Sequence, residues 1–183
     1  MTKSRSRGPG QPPDWPGIPT PTVDQNGDRR VVGGGPVQTR NRWRGESTGY
    51  FDGRIDQVRR IRDWCQSAIG MDDERAAPVL LIVSELATNA IQHSASGARY
   101  GRIRTTVQVM PGDIVLLRVV DDGPRVGGTV TRPYVPGRVG GPSVGGYGLA
   151  LVSALSEKWW WTDHPRGLAV WALIDPNRSP ADV

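Results

Sequence analysis

At 183 residues the chain fits one domain plus some tail. With an apolar content of 37% and 24 Gly and 16 Pro, it has no apolar run of about 18 residues, so no membrane span is expected, and no apolar segment follows the basic N-terminus to make a secretory signal. The formal charge is +5, but residues 1–48 hold 8 Lys/Arg against 4 Asp/Glu while residues 49–183 hold 15 against 14, and that near-neutral remainder argues against a nucleic-acid-binding face.

Residues 1–48 contain 7 Pro and 8 Gly with almost no apolar periodicity. Such a segment cannot bury enough surface to offset its ordering entropy, so a disordered tail is expected there. A domain is expected over 49–176 and a short polar tail over 177–183. The first helix is predicted from residue 52 or 54 to 69. Ile55, Val58, Ile61, Arg62, Cys65, Ala68 and Ile69 mark its stripe, and Gly70 ends it. Cys65 is the sole cysteine, so no internal disulfide forms. That suits a cytoplasmic location, with Cys65 as a small core residue.

Asp72, Asp73 and Glu74 place negative charge at the start of a second helix, and Pro78 fits only near its beginning. Val79, Ile82, Val83, Leu86, Ala90 and Ile91 recur at steps of three and four, the stripe of a core-facing helix. Glu85, Asn89 and His93 are four apart and stack along one edge. Asn is a poor residue in a helix interior, because its amide competes with the backbone. Its place beside a carboxylate admits a metal ligand with a proton acceptor one turn away. A plain solvated edge is the alternative. His93, at the helix end, also complements the helix dipole.

Residues 102–109 and 114–120 read as two strands of an antiparallel hairpin, the second more continuously apolar. Asp121-Asp122-Gly123-Pro124 ends the second abruptly. A carboxylate there can accept a hydrogen bond from an exocyclic amine, and the glycine lets a flat ring approach; an ordinary turn is the alternative. Residues 124–146 form a long Gly/Pro/Arg-rich loop of the kind that is usually functional or disordered. Gly146-Tyr147-Gly148-Leu149 then opens an apolar helix to residue 155, and glycines at a helix N-terminus suit phosphate. No P-loop sequence is present. Residues 158–162 and 168–174 are the last two strands. The triple Trp159-Trp160-Trp161 alternates faces, with packing as the expected role.

Order adds information that the separate motifs lack. E-x-x-x-N on a helix, D-x-G after a strand, a long loop and G-x-G-L opening a helix together resemble the Bergerat-fold (GHKL) ATPases. The stretches SELATNAIQH and GGYGLALVSAL are most similar to the anti-sigma factor serine/threonine kinases of the RsbW and SpoIIAB type. The resemblance covers about residues 50–175. It implies an α/β two-layer sandwich with a mixed, mainly antiparallel sheet and helices on one face. It implies ATP and Mg2+ as ligands, with Glu85 as general base and Asn89 as metal ligand. His93 is a further member of the ATP-binding set. Asp121 receives the adenine amino group, Gly123 lets the ring sit close, Gly146 and Gly148 face phosphates, and Leu149 supports the pocket.

Residues 124–145 correspond to the lid. One departure stands out: the second glycine of D-x-G-x-G is Arg125, expected to crowd the adenine rim or stiffen the lid hinge, with Pro124 stiffening it further. Arg132 and Arg138 are expected to be solvated loop residues. The implied partners are an anti-anti-sigma-factor-like protein, a sigma factor, and a second copy of the chain, since the family tends to dimerise. The implied function is transfer of the ATP γ-phosphate to Ser/Thr of a partner. Non-catalytic ATP or sigma-factor binding and a histidine-kinase-type ATPase domain are the alternatives.

Overall fold

The computed structural model describes residues 45–129, 132–133 and 147–178. Residues 1–44, which make up nearly all of the expected tail, lie outside that set. The elements run β1 (Glu46–Asp52), α1 (Gln57–Ile69), α2 (Asp73–His93), β2 (Arg102–Val109), β3 (Val115–Val120), α3 (Tyr147–Leu155), β4 (Lys158–His164) and β5 (Gly167–Ile174). β1 was not anticipated. Its Thr48-Gly49-Tyr50 core carries little apolar alternation, and its pairing with β2 holds it in place.

α1 is amphipathic and starts later than expected. Ile55 precedes it and is 63% exposed, whereas Ile61, Trp64, Cys65 and Ile69 face inward. Trp64 takes the place the sequence pattern had given to Arg62, and its ring meets Phe51 edge-on at 5.6 Å. Gly70 closes the helix in a left-handed conformation, φ 64°, and its N–H reaches the Gln66 carbonyl, as a glycine C-cap does. Asp72 caps α2, its carboxylate accepting from the Arg75 N–H at 3.0 Å, with Asp73 and Glu74 in the first turn. Val79, Ile82, Val83, Leu86, Ala90 and Ile91 are all buried, so the predicted stripe is the real one.

The sheet order is β1-β2-β3-β5-β4, and every pairing is antiparallel. The expected two-layer sandwich with a mainly antiparallel sheet is thus present, and no parallel pairing occurs among the described strands. The crossover through α3 carries β4 past β3 to the sheet edge, and β5 then folds back between them. β4 therefore runs in the direction of β3 without bonding to it.

The three helices pack on one face, where Ile61, Val79, Ile82, Val83, Leu86 and Val152 meet Ile103, Val107, Val115, Leu117 and Ile174. The second face carries its own cluster of Leu116, Val120, Trp160, Ala169, Trp171 and Leu173, with no helix residue in it. Trp160 and Trp171 stack there, 5.9 Å apart and nearly coplanar. Trp159 packs toward the helices. The alternation of the tryptophan triple is as predicted, and packing is the role of at least two of its rings.

Candidate functional site

Central to the site is α2, whose apolar stripe fixes its rotation on the sheet. That rotation leaves Glu85 and Asn89 half-buried on one flank, while His93 in the last turn is exposed. α3 crosses this flank. A methyl group added at Gly148 would stand 2.5 Å from Glu85 Oε2 and 3.7 Å from Asn89 Nδ2. Glycine at position 148 lets the first turn of α3 approach these two side chains without displacing the Glu85 carboxylate. Leu149, next in the chain, is half-buried against the main core and seats α3 there. The structure therefore gathers Glu85, Asn89, Gly148 and Leu149 in one place. Gly146 lies outside the described residues.

At the end of β3 the chain turns sharply. Gly123 has φ 77°, and a Cβ there would meet the Arg166 carbonyl oxygen at 3.1 Å. Both the left-handed backbone and the close approach of the β4–β5 turn require glycine. Asp121 Oδ1 accepts from the Gly123 N–H at 2.8 Å and from the Leu168 N–H at 2.9 Å. Those two bonds aim the carboxylate and leave Oδ2 without a hydrogen-bond partner among the described residues, an open acceptor for an exocyclic amine. Burial holds the Asp121 carboxyl above its ordinary value. The neighbouring Asp122 charge adds to this, and the two backbone N–H groups oppose it.

This turn is tied to the end of α2. The Ala95 N–H donates to the Gly123 carbonyl at 2.7 Å. Fully buried Ser96 accepts from the Asp122 N–H at 3.0 Å and donates to the Arg102 carbonyl at 2.7 Å. Asp122 accepts from the Arg102 N–H at 2.6 Å and pairs with Arg166 at 3.3 Å. Asp122 and Ser96 thus hold the turn, while Asp121 stays available. From Glu85 to Ser94 the helix rises roughly 13 Å at 1.5 Å per residue. The Asp121 turn and the Glu85–Asn89–Gly148 cluster are therefore held at a fixed separation along a single rigid element.

Arg125 turns toward α2. Its guanidinium reaches the end of α2, with Nε donating to the Ser94 carbonyl at 3.1 Å. Nη2 donates to Gln92 at 2.9 Å and Ile91 at 3.3 Å. The last carbonyls of a helix lack intrahelical partners and carry partial negative charge, which a cation satisfies. Of the two expected effects of Arg125, stiffening has a physical basis in these three bonds. Arg132 is not simply solvated either; its guanidinium lies 4.8 Å over the Trp161 ring. Arg138 lies outside the described residues.

Ser96 was missed by sequence reasoning. A serine in a polar Ser-Ala-Ser-Gly run carries no periodic signal. Its role depends on Asp122 and Arg102, which are distant in the chain or meet it only through folding. Among the described residues no group of three or more His, Cys, Asp and Glu could hold a metal ion. An ion here would depend on Asn89 with phosphate and water oxygens, and a flip of the Asn89 amide would present its oxygen for this. The Asn89 amide oxygen, with the Glu85 carboxylate one turn away, is a donor set that suits a magnesium ion whose other ligands are phosphate and water oxygens. No helix of the described residues is long and apolar enough to cross a membrane.

Comparison with curated proteins gives no match. Among solved structures, similarity is found to the histidine kinase domain from the Erythrobacter litoralis EL346 blue-light activated histidine kinase, at 22% identity with a TM-score of 0.43. The match covers 69% of this chain and 63% of that one. The family model described as the histidine kinase-like ATPase domain matches residues 51–174. With that match running from the end of β1 to the end of β5, the chain belongs to the histidine kinase-like ATPase domain family and carries its ATP-binding domain.

Proposed function

We propose that this protein binds ATP between α2, α3 and the Asp121 turn and transfers its γ-phosphoryl group to a serine or threonine of a partner protein, as an anti-sigma factor kinase does. The observation that supports this reading is the approach of Gly148 to Glu85 and Asn89, a carboxylate and an amide at the start of α3, the residue types that serve as proton acceptor and metal ligand. In this reading Asp121 Oδ2 takes the adenine amino group, and Asn89 holds a magnesium ion that neutralises phosphate charge. Glu85 accepts the proton of the partner hydroxyl. The hydroxyl oxygen forms a bond to the γ-phosphorus as the bond to the β–γ bridging oxygen breaks, and ADP leaves with that electron pair. The partner is an anti-anti-sigma-factor-like domain, with a sigma factor as the second protein held and a homodimer as the assembly. A cytoplasmic location accords with the single buried Cys65.

The test is a titration of a fluorescent ATP analogue with and without Mg2+, followed by phosphotransfer from labelled ATP to candidate partners. Expected outcomes are magnesium-dependent binding, and transfer that Glu85→Ala abolishes while binding persists. Binding without transfer to any partner, and cellular function unchanged in Glu85→Ala, would leave a non-catalytic ATP- or sigma-factor-binding module. Absence of nucleotide binding would remove both readings.

A further inference from the structure

The sheet face turned away from the helices carries an electrostatic anomaly. Arg104 lies opposite Val120, and Thr106 lies opposite Arg118. Arg104 and Arg118 are therefore diagonal neighbours on one face of β2 and β3, with Cα atoms roughly 7–8 Å apart. Both are half-buried, and the Nε of each is buried without a hydrogen-bond partner. Arg118 donates from Nη2 to the Thr106 hydroxyl at 3.0 Å and lies 5.0 Å over the Trp171 ring. Arg104 lies 5.7 Å over the Tyr50 ring. Neither makes a salt bridge among the described residues. Buried charges are ordinarily paired with opposite charge, because desolvation without a partner is costly. Two cations side by side, with rings, one hydroxyl and a Glu46 charge that forms no ion pair with either among the described residues, are half of a recognition site.

We propose that this face docks an acidic, extended peptide segment of a partner protein, with carboxylates meeting Arg104 and Arg118. Carboxylates at positions i and i+2 of an extended segment point the same way about 6.6 Å apart, close to the arginine separation. Tyr50, 37% exposed at the sheet edge, offers a ring surface beside them. The surroundings reinforce the sign of the site. Burial and the Arg104 charge push the Arg118 guanidinium down to about 10, with Glu46 acting in the opposite direction. The His164 imidazole is held below its ordinary value by burial and by the charges of Arg104, Arg118 and Arg166. A nucleic-acid backbone is disfavoured, because residues 49–183 hold 15 Lys/Arg against 14 Asp/Glu. The chain's own first 48 residues, with 8 Lys/Arg against 4 Asp/Glu, have the wrong sign.

The experiment is fluorescence anisotropy on the full chain with a labelled peptide of alternating Glu and Thr, alongside a Lys/Thr control. Expected is salt-sensitive binding of the acidic peptide alone, weakened about ten-fold or more by Arg104→Met or Arg118→Met. Arg118→Lys, which keeps the charge and loses the planar fork, should fall between. ATP-analogue affinity is unchanged in all three variants, since the nucleotide residues lie on the helix side. Thermal unfolding of the methionine variants is expected at or above that of the parent, because an unpaired charge has been removed. Equal peptide affinity in parent and variants, or binding of the control as tight as the acidic peptide, would overturn the proposal. So would complete displacement of the peptide by millimolar inorganic phosphate, which would mark a small-anion site, or an oligonucleotide binding through the same arginines in place of the peptide.

Discussion

Replacing Gly148 by alanine isolates the contact on which the site depends. The added methyl would stand 2.5 Å from Glu85 Oε2, whereas ordinary contact begins at 3.4 Å, so the carboxylate must retreat by about 1 Å. The obstructing atom is the tip of a flexible side chain, not backbone, so the fold itself is little disturbed. Alanine in place of glycine within a helix contributes about 0.5–1 kcal/mol, which offsets the rearrangement, and thermal stability should stay within about 1 kcal/mol of the parent. Chemistry is less forgiving. A displacement of about 1 Å of a reacting group lowers turnover by roughly 100-fold. The assay combines thermal unfolding, ATP-analogue titration and phosphotransfer or ATP hydrolysis. In the double variant with Glu85→Ala, the Gly148→Ala loss should nearly vanish, since both act on one carboxylate. A melt lowered by several kcal/mol, or turnover unchanged in Gly148→Ala, would refute the reasoning.

Asp121→Asn tests the proposed role of this carboxylate in base recognition. Because burial raises the folded-state pKa of Asp121, its contribution to stability is fully present below the unfolded value and is lost as pH rises through the folded one. An amine donor favours the ionised form, so nucleotide affinity should fall in acid with a midpoint above that of a free carboxylate. The asparagine variant should bind weakly with a flat pH profile, and a parent profile equally flat would count against the assignment. Arg125→Gly restores the family's more common residue but removes three bonds to the Ile91, Gln92 and Ser94 carbonyls. Partly solvent-exposed as they are, their loss should cost about 1 kcal/mol, read as a lower melting temperature with nucleotide still bound. Ser96→Ala leaves the Asp122 N–H and the Arg102 carbonyl without their partner. A cost of about 1–3 kcal/mol is expected, with faster amide exchange at Asp122. An unchanged exchange rate would show that the turn does not depend on Ser96.

Much of the architecture was legible in the residue pattern, because burial writes periodicity into a chain. The α2 stripe, the Gly70 stop, the Asp72 start and the β2–β3 hairpin are each local consequences of apolar spacing, capping or turn chemistry. β1 was not legible, since a strand of Thr, Gly and Tyr held by pairing with β2 has no period of its own. Nor was the wholly antiparallel sheet, which depends on where β5 inserts after the α3 crossover. Sequence also nominated Glu85, Asn89, Asp121, Gly123 and Gly148 by residue type and order. Only tertiary structure decided that Gly148 closes on Glu85 and Asn89, that Arg125 turns away to the carbonyls of α2, and that Ser96 braces Asp122. Arg104 and Arg118 are two of many arginines in the sequence and become a feature only when the β2–β3 register sets them diagonally on one face. Such contacts join residues far apart in the chain, and their energies come from distance and desolvation, quantities that exist only once the chain has folded.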